Sequence, residues 1–274
     1  MGMFDGKKGL ILGVANDHSI AWAIAKVIMD EGGLCGFTYL PDRPDDERQR
    51  NRRRVAQLTD PVPNSRFLVP LDVTSDENIA QVIRQSAEEF GKLDFLLHSI
   101  AFAQLEDLKR DTIETSREGF KLAMEVSAYS LLAVANAAKD IMNCGGSILT
   151  MTYYGGEKIV PGYNVMGICK AALDSSMKYL AYDLGPRGIR VNAISAGPLR
   201  TLAGRGAGVD DMLVLYQAMA PLGRNITHEE VGRAGAFLLS DRSEGITGEI
   251  LHVDAGYNIM GSPGRMAEMF RQKT

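Results

Sequence analysis

Tyr163 and Lys170 stand seven residues apart in the segment 150–170, TMTYYGGEKIVPGYNVMGICK. Read as a helix, that spacing puts both side chains within roughly 20° of one face, about two turns apart. Both can then serve one ligand. An ammonium near a phenol favours the phenolate and lowers the tyrosine pKa, while its protons remain donors for ribose hydroxyls. The pair suits a tyrosine that stabilises or protonates a developing oxyanion. A core phenol beside a lysine that snorkels along an ordinary helix has the same spacing, and the pair alone does not choose between them.

A second kind of chemistry is suggested near the start, where 13–21 reads GVANDHSIA. This is not GxGxxG. Gly13 and Ala15 nevertheless supply small residues where backbone must approach a pyrophosphate, and Ser19 can cap the following helix while helping to hold phosphate. A tight turn with no ligand would use the same residue types. Further along, Asp72 and Val73 follow one apolar run, and His98, Ser99, Ile100 and Ala101 end another. Crevice ligands lie beyond the carboxyl ends of strands, so Asp72 can accept from an adenine amino group while small Ser99 and Ala101 let a dinucleotide lie across the strand ends. Asp72 equally reads as a helix cap beside Thr74 and Ser75. No metal is expected: His18, His98, His228 and His252 are scattered, and Cys35, Cys144 and Cys169 have no CxxC spacing and read as packing residues.

Positioning these residues takes a regular frame. Short apolar runs at 9–12, 34–39, 67–71, 93–100, 147–151, 189–194 and 249–253 are mostly separated by helix-length amphipathic segments. From Ser19 onward, Ile20, Ala21, Ile24, Ala25 and Ile28 keep the 3/4 spacing of a helix packed on a sheet. Near-continuous apolar strands alternating with helices imply an α/β fold: a single Rossmann-like, doubly wound parallel sheet with helices on both faces. One domain, 1–274, is expected. The 45% hydrophobic content supports a large core, and 23% charged residues with a net charge of -4 give no support to a strongly basic nucleic-acid or membrane-surface binder. With no run of about 18 apolar residues and no secretory leader pattern, the expectation is a cytoplasmic protein. Within 42–54 four acids give way to Arg48, Arg50, Arg52, Arg53 and Arg54. That reads as a solvated helix with an acid-rich first turn, or as a cluster near cofactor phosphate.

Six ordered segments carry a resemblance: GVANDHSIAWAIAK from 13, HSIAFA at 98–103, TYYGGEK at 152–158, YNVMGICKAAL at 163–173, VNAISAGPLRTLA at 191–203 and GITGEILHVDAGY at 245–257. Together they resemble bacterial enoyl-acyl-carrier-protein reductases of the divergent short-chain dehydrogenase/reductase type, across nearly the whole chain. The Tyr-x6-Lys spacing is similar to this branch and unlike the Tyr-x3-Lys of ordinary short-chain dehydrogenases. The resemblance implies NADH-dependent reduction of a trans-2-enoyl thioester on acyl carrier protein, in fatty-acid elongation. By the same likeness Tyr163 bonds the thioester carbonyl and stabilises the enolate, Lys170 holds the nicotinamide ribose, and Tyr153 is a second active-site tyrosine that orients the acyl thioester. Gly13, Ser19, Ile20, Asp72, Val73 and Ile100 match cofactor contacts, as do Leu199, Arg200, Thr201, Leu202 and Ala203, and Ala103 matches a substrate-pocket position.

The resemblance also implies a substrate-covering flap after the sixth strand, within 201–208, and a homotetramer. Met212, Leu213, Leu215, Tyr216 and Met219 either line that pocket or pack a helix on the sheet. The tail, about 261–274, reads as a frayed end or a subunit contact. Leu40 sits where NADH-using members often carry a polar residue, and Arg43 or the later arginines offer a partner for a 2′-phosphate, so NADPH is the alternative to NADH. Two other functions compete. One is a short-chain dehydrogenase-type ketoacyl or carbonyl reductase, with Thr150 standing thirteen residues before Tyr163 in place of that group's serine. The other is a non-enzymatic cofactor-sensing module.

Overall fold

The computed structural model describes residues 2–202 and 209–267. A seven-stranded parallel sheet runs β3-β2-β1-β4-β5-β6-β7, with β1 (Lys8–Leu12), β2 (Leu34–Tyr39), β3 (Ser65–Pro70), β4 (Leu93–His98), β5 (Met142–Thr152), β6 (Arg190–Ala196) and β7 (Ile250–Val253). Strand order reverses between β1 and β4, the position at which an open α/β sheet opens a crevice. On one face the sheet packs α1 (Ile20–Asp30) and the long helix near the C-terminus, His228–Leu239. On the other lie α3 (Asp76–Phe90), Ser130–Ala138 and Asn164–Leu184. The doubly wound expectation holds.

The apolar runs follow from this layering. In β1, Leu10 and Leu12 join the cluster that contains Leu131 and Met177, whereas Ile11 between them joins the opposite cluster with Ile24 and Ile28. A strand buried on both faces has no polar side to alternate with. Each fully buried aliphatic side chain contributes about 1.5–3 kcal/mol by leaving water.

Helices α2 (Arg50–Thr59), α4 (Leu105–Lys109), α5 (Arg117–Met124), α6 (Ser130–Ala138), α7 (Asn164–Leu184), α8 (Val209–Met219) and α9 (His228–Leu239) complete the frame. In α7 the buried residues Met166, Cys169, Leu173, Met177, Leu180 and Leu184 keep a 3/4 spacing, so one stripe faces the sheet. Two expectations need correction. β5 starts at Met142, before the apolar run, because a register shift lets polar and glycine residues enter the ladder. The first turn of α2 holds no acid. Its acids lie upstream, and Asp42 accepts from the Asn51 and Arg52 amides at 2.6 and 3.1 Å, a cap delivered from outside the helix.

Candidate active site

The turn after β5 and the start of α7 bring Tyr153 and Tyr163 into contact. Their rings meet edge-on with centroids 4.7 Å apart. Tyr163 is the N-cap of α7 and not an interior residue, because Asn164 takes a left-handed backbone, φ 38°. Such a conformation costs a non-glycine residue of order 1–3 kcal/mol, and here the Asn164 amide secures it by donating to the Leu108 carbonyl at 2.9 Å. The Gly155-Gly156 turn is equally constrained: a Cβ on Gly155 would lie 2.5 Å from the Tyr163 ring, and one on Gly156 2.8 Å from the Asp174 carboxylate. Missing side chains let the tyrosines close on the helix.

Lys170 is 5% exposed and its Nζ donates to the Met151 carbonyl at 2.8 Å. Burial lowers its pKa to about 8, against the opposing pull of Asp174 and Cys169. The expected depression of the Tyr163 phenol does not occur. Burial first, then Tyr153, Cys169 and Asp174, push that phenol well above the ordinary tyrosine range. Desolvation dominates, and the phenol stays protonated. Burial raises Tyr153 too. Its hydroxyl shares a 3.1 Å hydrogen bond with Tyr216, and it reaches Met212 Sδ at 3.8 Å. Tyr216 in turn stacks on Tyr257, ring centroids 3.7 Å apart. Of the five α8 residues considered from sequence, Met212 and Tyr216 therefore reach the site, whereas Leu215 is exposed.

Beneath this layer lies a network that the sequence reading did not contain. His98, fully buried at the end of β4, has Nε2 2.8 Å from Ser130 Oγ and Nδ1 3.2 Å from Thr150 Oγ1. Ser130 already donates its one proton to the Val126 carbonyl at 2.7 Å. The imidazole must then carry its proton on Nε2, and Thr150 must donate to Nδ1. Burial, then the charge of Lys170, lowers the His98 pKa to about 3. A π-helical turn, Glu125–Tyr129, precedes α6, and its Ser127 hydroxyl accepts from the Phe102 amide at 2.9 Å and donates to the Phe102 carbonyl. Nothing in residue spacing signals a contact between 98, 130 and 150; the strand pairing His98↔Thr150 joins two of them, and Ser130 reaches His98 from the start of α6. Ala103 packs with Ala123, Val165, Met166, Cys169 and Tyr163 in one apolar cluster, next to the tyrosine as expected.

At the crevice Gly13 has φ 95°, and a Cβ there would collide with the Ser99 carbonyl. Close approach of β1 and β4 explains this glycine without any ligand. Ser19 is the N-cap of α1 but its side chain makes no cap bond. Its Oγ instead accepts from the Ala15 and Asn16 amides at 3.0 and 3.1 Å, so the capping expectation is corrected. The first-turn amides of α1, beginning with Ile20, have no intrahelical partner and face the crevice end. Asp72 Oδ1 accepts from the Thr74 amide and hydroxyl at 2.9 and 2.7 Å within the turn before α3, whose N-cap is Ser75, so the helix-cap reading of Asp72 is corrected. Val73 and Leu199 are buried in the core, Ile100 is half-buried, and Ala101, Leu40 and Leu202 are exposed. Arg200 pairs with Asp210 at 2.9 Å, and the Thr201 amide donates to the Leu199 carbonyl at 2.7 Å. Ala203 and the rest of the expected flap, 203–208, lie outside the described residues, as do 268–274 of the expected tail. His18, read as isolated, lies 6.0 Å from His228 ring to ring, and its carbonyl accepts from His228 Nε2 at 3.0 Å.

Residues 13–258 match the model of a family described as enoyl-(acyl carrier protein) reductase. The chain is 48% identical over 257 residues to the enoyl-[acyl-carrier-protein] reductase [NADH] FabI of Nostoc sp., covering 93% of this chain and 98% of that one. The Bacillus cereus FabI is 48% identical over 263 residues, 95% of this chain and 100% of the relative. A crystal structure of the Bacillus cereus enoyl-acyl carrier protein reductase with NADP+ and indole naphthyridinone superposes with a TM-score of 0.90 at 47% identity, covering 96% of this chain and 100% of that one. The Anaplasma phagocytophilum reductase in complex with NAD gives 0.89 at 45% identity, with 95% and 97% covered.

Proposed function

Because this chain belongs to the enoyl-(acyl carrier protein) reductase family, we propose that Tyr153, Tyr163 and Lys170 are the residues with which it performs that family's reaction. The chain is an NADH-dependent enoyl-[acyl-carrier-protein] reductase of fatty-acid elongation. NADH, when bound, supplies the hydride that adds to the β-carbon of a trans-2-enoyl thioester. Tyr163 donates a hydrogen bond to the thioester oxygen, where negative charge accumulates as the enolate forms. A phenol kept protonated by burial is suited to donate, and a donor already in place stabilises charge without reorganising. Tyr153, held by Tyr216 and lying edge-on to Tyr163, orients the acyl group.

The crevice fits the cofactor. Lys170 uses one of three ammonium protons on Met151 and keeps donors for the nicotinamide ribose. Gly13, Ala15, Ser19 and Ile20 form the phosphate end, Asp72 and Val73 the adenine end, and Ser99, Ile100 and Ala101 the floor between them. Leu40 and Leu199 to Ala203 complete the cofactor contacts, and Ala103 borders the substrate. Asp42 is engaged in capping α2, so it is not free for a ribose hydroxyl, and the arginines beside it leave room for NADPH as a weaker second cofactor. We further read the chain as one domain, as a homotetramer and as cytoplasmic. Phe120, Ile168, Tyr179 and Tyr182, exposed on α5 and α7, support the assembly, and no described helix is long and apolar enough to cross a membrane.

The observation that carries enoyl over ketoacyl reduction is the commitment of Thr150. Its buried hydroxyl donates to His98, so the serine-like partner that a carbonyl reductase places beside its tyrosine is missing. A panel of trans-2-enoyl and 3-ketoacyl thioesters assayed with NADH and NADPH tests this. NADH oxidation with the enoyl substrates alone is expected; turnover of ketoacyl substrates alone overturns it, and a large kcat/KM advantage for NADPH overturns the cofactor order.

A further inference from the structure

Among the buried titratable groups that the mechanism above leaves unused is Asp174. Asp174 is 6% exposed, lies one turn beyond Lys170 on α7, and its Oδ1 has no hydrogen-bond partner. Beside it stands the buried Thr152 hydroxyl, which lowers the Asp174 pKa against the larger upward push of burial. A desolvated carboxylate with an unsatisfied oxygen is costly to keep, and residues four apart on a helix share a face. Perturbed groups of this kind cluster where chemistry needs them.

The groups acting on Lys170 come from α7, β5 and β4. From α7 itself come Asp174 and Cys169; from β5 the Met151 carbonyl; from β4 His98, which is neutral. Around Asp174 stand Lys170 and Lys178 on its own helix, Thr152 from β5, and Glu157 from the turn that follows. Asp174 is thus the carboxylate, among the described residues, that opposes the desolvation of the Lys170 ammonium.

We propose that Asp174 is a positioning residue that keeps Lys170 protonated and aimed into the cofactor crevice. This rests on the reading of Lys170 as the nicotinamide-ribose ligand. With the carboxylate present, Lys170 titrates at about 8, just above neutral pH. Without it, the buried amine loses its proton near neutrality, and a neutral amine offers fewer donors to ribose hydroxyls. Asp174 also packs against Gly156, a contact that an isosteric amide keeps, so charge and packing can be separated by substitution.

The test compares Asp174→Asn with Asp174→Glu in the full-length protein. The dissociation constant of NADH, read by its fluorescence, is followed from about pH 6 to pH 10, and in parallel the reactivity of Lys170 toward a small acylating reagent is titrated by mass spectrometry in the free protein. Asp174→Asn is expected to move both midpoints down by about one pH unit, equivalent to about tenfold weaker NADH binding on the alkaline side, with an unchanged acidic plateau. Asp174→Glu should restore the wild-type midpoints. An Asp174→Asn protein that labels with the wild-type midpoint overturns the proposal whatever NADH does. If Lys170→Ala binds NADH as tightly as wild type, the ribose-ligand reading fails instead, and the labelling midpoint still decides the role of Asp174.

Discussion

The two ends of the crevice are built on opposite terms. At the nucleotide end the special residues are accounted for by neighbouring protein groups: Gly13 makes room for the Ser99 carbonyl at the end of β4, and the Ser19 hydroxyl binds two amides of its own turn. At the catalytic end, buried groups are left under tension. Tyr163 is held protonated, Lys170 is pulled toward neutrality, His98 resists its proton, and Asn164 carries a strained backbone. Strain and desolvation persist where the surrounding structure over-determines them, often at functional sites.

The contrast is sharpest in acid. His98 has its pKa lowered from 6.5 to about 3, so the unfolded chain binds a proton that the folded one refuses across that window. Stability should therefore fall as pH drops from 6.5 toward 3, by about 1.4 kcal/mol per pH unit and about 4 kcal/mol in all. Urea unfolding at a series of pH values checks it. His98→Asn is expected to be less stable at pH 7, because Thr150 and Ser130 lose their partner, and to show a shallower acid slope; the wild-type slope in the variant would show that His98 is not its source.

Next in size is Tyr163→Phe. Removing one preorganised donor to a developing oxyanion typically costs about 10²–10³ in turnover. Here kcat should fall by that factor while the KM for NADH stays within about twofold. A variant that keeps its kcat and loses NADH affinity would reverse the roles assigned to Tyr163 and Lys170. Gly13→Ala probes the other end. A Cβ would meet the Ser99 carbonyl in a left-handed backbone, so the chain between β1 and β4 must shift, at about 1–3 kcal/mol of stability. Thermal melting measures that. An unperturbed melting temperature would mean that the loop yields easily and is not preformed.

The parts of this contrast that were legible in sequence are those written in local pattern. Burial on both faces makes strands such as β1 and β4 read as continuous apolar runs, and the 3/4 spacing along α1 and α7 marks helices on a sheet. The catalytic pair was legible as a spacing, and its family likeness supplied the chemistry. What stayed hidden depends on contacts distant in sequence or on backbone turns. His98, Ser130 and Thr150 meet because β4 pairs with β5 and α6, entered through a π turn, begins beside His98. The protonation of Tyr163 is hidden because spacing reports a lysine on the same face and says nothing of desolvation, the largest cause of the raised pKa. Ser19 reads as a helix cap because its type and place fit one, while the choice of amides is made by the turn at 15–19.

That choice sets up the smallest effect and the most direct comparison of the two ends. In Ser19→Ala the Ala15 and Asn16 amides lose a shared acceptor on a side chain that is itself buried. A net hydrogen bond of this kind contributes about 1 kcal/mol. If the loop is preformed by Ser19, that loss appears twice: as a slightly lower melting temperature without ligand, and as about a fivefold rise in the KM for NADH because the loop must now be ordered on binding. Turnover at saturating NADH should not change, since nothing at the tyrosines depends on this hydroxyl. A fall in kcat with KM unaltered would mean that the loop couples to the reacting atoms, and that the division between a binding end and a reacting end does not hold.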